Sequence, residues 1–245
     1  MVASCVHSQR RRYLLGDQLD GVINYPFSQE ITHFVCTGQT DGFSGGILSV
    51  LENYPKPCVD VLMNHIGSHD TARIINVLGG EDFRGRDRKW QSEHFLNDGA
   101  LEYAKKLLKI AAAIQFTLPG IPSIYYGDEA GLQGYADPFN RGFFPWGKED
   151  FNLVDYYRQL GNIRRQNSCF VDGSFEMVSD VCGCIAYFRD GEHEKIMTIA
   201  NRNPHHIDYH LPEEWKDAEV LLGGEQGNGF VRISADTAAI LKLTK

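Results

Sequence analysis

His69 and Asp70 stand side by side shortly after an apolar run at 59–63, inside the stretch Asn64-His65-Ile66-Gly67-Ser68-His69-Asp70-Thr71-Ala72-Arg73. A His-Asp pair at the end of a buried strand is where a parallel α/β barrel puts its chemistry. Glycoside hydrolysis, one chemistry that uses carboxylates, needs one carboxylic acid to protonate the leaving oxygen and a second carboxylate to attack or to activate water. A further buried carboxylate can hold sugar hydroxyls and stabilise the developing positive charge. A neighbouring imidazole can donate to a hydroxyl of the same ring. The plainer alternative makes His69 a satisfied core histidine and Asp70 the N-cap of a helix entering at Thr71.

Other stretches carry comparable chemistry. Asp137-Pro138-Phe139-Asn140-Arg141, followed by Phe143-Phe144-Pro145-Trp146, places an arginine fork near a carboxylate. Such a pair suits a vicinal diol, or is an ordinary surface ion pair. Tyr25, in the stretch Arg12 to Phe27, offers an aromatic face for the apolar side of a pyranose. Asp128 and Glu129 are adjacent, and on extended chain would point to opposite faces, so they are read as structural. His65 and His69 have metal-like spacing, but no glutamate lies between them in the H-E-x-x-H sense and the segment reads as strand and loop, so no metal is expected. Gly42-Phe43-Ser44-Gly45-Gly46 fits G-x-S-x-G, which would make Ser44 a serine-hydrolase nucleophile. That motif requires a strand immediately before it, and 37–41 reads as loop; Ser44 is expected to be a helix N-cap instead.

The elements that must position these groups alternate up to about residue 167. Strands are expected at 19–25, 59–63 and 121–126, and helices at 29–35, 47–54, 101–117 and 153–165, with 81–97 a surface loop and 127–146 a long loop. This alternation argues for parallel strands with helical crossovers. From Ser168 onward the pattern becomes short alternating strands at 175–178, 185–188, 196–200, 218–222, 230–233 and 239–243, with a turn at 189–192, which reads as an antiparallel β-sandwich. The glycine-rich 223–229 opens no helix and is expected to be a hairpin loop rather than a phosphate cradle. The chain therefore divides into 1–167 and 168–245.

A net charge of −8, with Arg10-Arg11-Arg12 the single basic run, argues against nucleic acid as a partner. That run is read as the exposed start of a helix. No apolar run is long enough to cross a membrane. The six cysteines match no zinc or redox spacing, so reduced thiols in a cytoplasmic protein are expected.

The stretch 64–73 resembles the fourth signature region of the α-amylase family of glycoside hydrolases. Residues 116–131, Phe-Thr-Leu-Pro-Gly-Ile-Pro-Ser-Ile-Tyr-Tyr-Gly-Asp-Glu-Ala-Gly, resemble that family's eighth-strand signature. Residues 137–146 are similar to the DPxNRxxFPW segment of its neopullulanase and cyclomaltodextrinase branch, and 12–27 to the segment entering the sixth strand. The resemblance implies an α/β fold: a partial (β/α) TIM barrel, strands six to eight with their helices, then a C-terminal antiparallel β-sandwich. It implies retaining hydrolysis of α-glucosidic bonds in maltodextrins, cyclodextrins or pullulan, with no cofactor. Asp70 would be the catalytic transition-state stabiliser. His69, Asp137, Arg141 and Tyr25 would bind substrate.

The family's nucleophilic aspartate and proton-donating glutamate have no counterpart among these residues. The expectation is a truncated chain, inactive alone, with open edges on the strands at 21–25 and 121–126 and a need for the missing barrel segment or for self-association. A non-catalytic sugar-binding or scaffold fragment is the alternative, and a Ser44 hydrolase a weaker one.

Overall fold

The computed structural model describes residues 2–3, 13–14, 18–181 and 183–245. The Arg10-Arg11-Arg12 helix start, the 15–17 part of the sixth-strand stretch, Cys5 and Cys182 lie outside the described residues.

Four short strands run parallel: β1 (Val2–Ala3), β2 (Gly21–Val22), β3 (Met63–Asn64) and β4 (Ile121–Pro122). β1 pairs with β2, a parallel bridge joins Ile23 to Met63, and β3 pairs with β4, so order in space follows order in sequence. Between β2 and β3 lie α1 (Tyr25–Thr37), α2 (Phe43–Asn53) and α3 (Lys56–Asp60). Between β3 and β4 lie α4 (Ile74–Leu78), α5 (Arg88–Glu93) and α6 (Asp98–Thr117).

The strands are far shorter than the apolar runs that announce them. The 19–25 run breaks at Asn24, whose side chain caps α1 by accepting from Phe27 N at 3.5 Å. Tyr25 is thus the first residue of a helix, not the end of a strand. Residues 59 and 60 belong to α3, which starts at a proline-rich corner where a missing N–H costs nothing. After Pro122 the chain leaves the ladder, and the buried Gln115 side chain donates to Asn64 O at 2.9 Å and Ser123 O at 3.0 Å. Asn24 Nδ2 donates to Asn64 Oδ1 at 2.9 Å, and Asn64 Nδ2 to Pro119 O at 2.7 Å. A buried amide layer therefore ties the strand ends together where backbone pairing stops. The expectation of an open edge on the first of these strands is corrected: β1 occupies it. Ile121, in β4, and Ile124, just after it, are exposed.

The central helix is α6. Asn97 caps it at Ala100 N, and its Ala104, Leu107, Leu108, Ala111 and Ile114 are buried. The expected surface loop at 81–97 contains α5, capped by Asp87, which accepts from Trp90 N at 2.7 Å. After β4 come two 3-10 turns, Asp128–Ala130 and Phe139–Arg141, then α7 (Phe151–Gln166) and α8 (Cys169–Asp172). Asp128 and Glu129 thus sit in a helical turn, not on extended chain.

The remainder is antiparallel. β5 (Ser174–Val181), β6 (Cys184–Asp190), β7 (Glu194–Asn201), β12 (Thr237–Thr244) and β9 (Glu219–Leu222) form a five-stranded sheet in that order. β10 (Glu225–Gln226), β11 (Phe230–Ile233) and β8 (Ile207–His210) form a second sheet. The glycine-rich segment contains β10, so it is more than a loop. Alternation along β6, β7 and β12 sends Ala186, Phe188, Met197, Ile199, Ala239 and Leu241 into a core with Trp215, Val231 and Ile233. The other face, with Ile185, Tyr187, Ile196 and Ile240, joins the core built by α1, α2, α6 and α7. Cys36, Cys58 and Cys169 are free thiols. Among the described residues no helix is long and apolar enough to cross a membrane.

Candidate active site

The loop leaving β3 carries His69 and Asp70 outward at the end of the parallel strands. Ser68 shapes it: Ser68 Oγ accepts from Asp70 N at 3.1 Å, and Thr71 Oγ1 accepts from Ser68 N at 3.2 Å. Asp70 caps no helix; α4 begins later, with Arg73 at its N-cap position. His69 is not a core histidine. Its Nε2 lies 3.2 Å from Asp70 Oδ1, and the two side chains are 56% and 55% exposed. The sequence had pointed to a buried carboxylate; the structure places Asp70 open to solvent, with both oxygens oriented by neighbours. Tyr25 OH donates to Asp70 Oδ2 at 3.4 Å. The Tyr25 ring meets His65 edge-on at 4.6 Å. His65 is buried, which drives its pKa down to about 4 and keeps it neutral. Among the described residues no group of three or more His, Cys, Asp or Glu side chains could hold a metal ion.

Asp137 and Arg141 meet across a 3-10 turn, Arg141 Nε donating to Asp137 Oδ1 at 2.5 Å with both side chains about half exposed. Between them stands Asn140, fully buried. Its Nδ2 donates to His69 O at 2.9 Å and to Thr71 O at 2.7 Å. One amide thus clips the backbone on either side of Asp70 and fastens the His69-Asp70 loop to the Asp137-Arg141 turn. Sequence reasoning quoted Asn140 within a motif and gave it no role. The available signal was a small amide fixed between two charged positions in a segment otherwise read as loop.

Beneath this rim lies a second layer. Arg73 is buried, and its Nη1 donates to Asp128 Oδ1 at 3.1 Å and to Tyr126 O. Its guanidinium lies 4.1 Å from the Tyr125 ring centre and 4.7 Å from that of Tyr126, so two aromatic faces share the charge. Burial pushes the Asp128 carboxyl up to about 7, with Arg73 pulling the other way. A side chain at Gly67 would run into the Asp128 carboxylate, which explains the glycine. Arg73 N donates to Gly134 O at 2.9 Å, and Gly134 N to Asn76 Oδ1 at 2.8 Å. Tyr126 OH donates to Gly142 O at 2.9 Å. The loops after β3 and β4 are therefore locked to each other, and the charged groups on their rim stand on a fixed base.

Ser44 is not part of this arrangement. It lies inside α2, whose N-cap is Gly42 at φ 92, so the expected cap at Ser44 is corrected. No strand precedes it, and a nucleophile elbow is not formed.

Residues 1–156 match the alpha-amylase catalytic domain. The chain belongs to the alpha-amylase family. Within that family, it is 38% identical over 175 residues to an amylopullulanase of Thermoanaerobacter thermohydrosulfuricus, covering 66% of this chain and 11% of that one. It is 31% identical over 236 residues to a cyclomaltodextrinase of Thermoanaerobacter pseudethanolicus, covering 94% of this chain and 37% of that one. A solved cyclomaltodextrinase superposes with a TM-score of 0.74 at 27% identity, over 94% of this chain and 38% of that one. The debranching enzyme of Nostoc punctiforme shares the fold, with a TM-score of 0.79 at 22% identity, over 98% of this chain and 50% of that one. The chain spans about half or less of the length of these relatives.

Proposed function

We propose that this chain belongs to a retaining glycoside hydrolase acting on α-glucosidic bonds of maltodextrins, cyclodextrins or pullulan. On this reading residues 1–167 are the C-terminal part of a catalytic barrel, with strands six to eight at β2, β3 and β4, and residues 168–245 are the sandwich behind it. The observation that carries the proposal is Asp70. It stands open at the end of a parallel strand, its oxygens met by His69 and Tyr25 and its backbone clipped by Asn140.

A fixed carboxylate facing a sugar ring stabilises positive charge at the anomeric carbon more strongly than it holds the neutral substrate. His69 donates to a hydroxyl of that ring, Tyr25 covers its apolar face, and Asp137 with Arg141 grips a glucose farther along. Asp70 supplies neither nucleophile nor proton in this scheme. Two further carboxylates must do so, and these 245 residues alone do not turn substrate over. The exposed Ile121 of β4 and Ile124 just after it suit contact with further barrel structure. The free thiols suit a reducing, cytoplasmic setting.

The test is kinetic. In an active protein containing this chain, Asp70→Asn is expected to lower kcat about 10²–10³-fold with little change in KM. An unchanged kcat, or hydrolysis by the 245 residues alone, would overturn the assignment.

A further inference from the structure

The Asp137-Arg141 turn has a second neighbour. A cleft of about 390 Å³ runs between it and α5, lined among others by Gln91, Phe95, Leu132, Gln133, Phe139 and Arg141. That volume lies within the range of small-molecule sites. The lining includes no carboxylate, and it combines apolar surface with amide groups, a hydroxyl, an imidazole and one guanidinium, which fits an uncharged, amphipathic ligand.

Phe95 is the notable wall. It is 62% exposed, yet both of its chain neighbours are anchored. His94 stacks on Trp90 at 4.0 Å, and its Nε2 meets Glu81 Oε2 at 2.5 Å. Leu96 is buried, and its N–H donates to Gln133 Oε1 at 2.8 Å. The ring is thus presented to water from a rigid backbone. Phe139 already has Arg88 over its ring, at 5.3 Å. Gln133 also lines the cleft, and its amide oxygen accepts from Leu96 N. Arg141 lines the cleft and also belongs to the proposed clamp.

We infer that an α-glucan gripped by Asp137 and Arg141 continues into this cleft and stacks a more distant glucose on Phe95, so that the cleft is a binding site for longer chains. Stacking uses the apolar face of the sugar, while the Gln133 amide and the Arg141 guanidinium take hydroxyls at its rim. The inference rests on the clamp proposed above, and the experiment separates the two.

Affinities for maltotriose and maltoheptaose are measured by titration calorimetry on the whole chain. The unmodified protein is expected to favour maltoheptaose. Phe95→Ala should reduce that preference by roughly threefold or more, as for loss of one aromatic contact, and leave maltotriose affinity unchanged. Phe95→Trp should keep the preference. Arg141→Ala should weaken both sugars. If Phe95→Ala and the unmodified protein show the same preference, the cleft site is wrong while the clamp stands. If Arg141→Ala leaves maltotriose affinity intact, the clamp itself is wrong. Failure of both sugars to bind overturns both.

Discussion

Two arginine–carboxylate pairs lie in adjoining loops and have opposite characters. Arg73 and Asp128, 3.1 Å apart, are 0% and 2% exposed; Arg141 and Asp137, 2.5 Å apart, are 47% and 57% exposed. The buried pair is committed to structure: it fixes the Tyr125-Tyr126 corner, and Arg73 also meets Gly134 through its backbone. The exposed pair adds little to stability because water and salt screen it. On the proposed reading, that leaves it able to exchange its partner for a ligand. On that reading, the charges proposed to meet substrate stay on the surface and the rigidity lies one layer down.

The largest effect that would break this contrast comes from below. Arg73→Met leaves Asp128 buried without its cation and should cost about 3–5 kcal/mol. Urea unfolding measures it, and a loss no greater than that of an exposed ion pair would mean the buried layer holds nothing.

A second test uses pH. Burial lifts Asp128 from 3.8 to about 7. The folded protein then keeps a proton that the unfolded chain has released, so this contribution is full below pH 3.8 and is lost as pH rises toward about 7. His65 acts in the reverse sense. Its pKa falls from 6.5 to about 4, so its contribution is full above pH 6.5 and is lost as pH falls toward about 4. The two slopes oppose each other over a shared window. Asp128→Asn should leave stability rising with pH there, and His65→Phe should leave it falling, each by on the order of 3 kcal/mol. Denaturation at several pH values reads the slopes; slopes of the same sign in both variants would reject the assignment.

Asn140→Ala sits between the layers. It removes two hydrogen bonds to backbone carbonyls and should cost about 1–2 kcal/mol. Its sharper signature is local: amide exchange at Asp70 and Thr71 should accelerate while that of α6 stays slow. Uniform acceleration would mean that Asn140 supports the whole fold and not this loop. The smallest expected effect is that of Arg141→Ala, under about 1 kcal/mol in urea unfolding. A larger loss would place the proposed clamp among the structural pairs.

The motifs were legible in the sequence because their chemistry is carried by residue type. His69-Asp70 and Asp137 with Arg141 are recognisable wherever the backbone puts them. The sheet strands β6, β7 and β12 were legible as well, since one face meets each core and the β-branched runs have strand length. The parallel strands were overdrawn. Apolar runs at 19–25, 59–63 and 121–126 do not by themselves mark backbone pairing, and side-chain amides close what the ladder leaves open. The exposure of Asp70 was hidden because it depends on a turn held by Ser68, and Asn140 was hidden because its partners are backbone carbonyls some seventy residues away. The helix α5 had a readable cap in Asp87, but its exposed, aperiodic sequence masked it.

The five-stranded sheet has a consequence for protein engineering. On one face, the hydroxyl of Tyr187 meets Thr117 Oγ1 at 2.6 Å, and Arg189 donates to Thr117 O at 3.2 Å and to Gly173 O at 3.0 Å. The last residue of α6 is thus plugged by two side chains from β6. A chimera seamed at residue 168 would sever that plug. A C-terminal sheet borrowed from another member of the family would seat only if it brought a tyrosine and an arginine in the same register, or if α6 travelled with it. The unit that can be grafted is the helix and the sheet together.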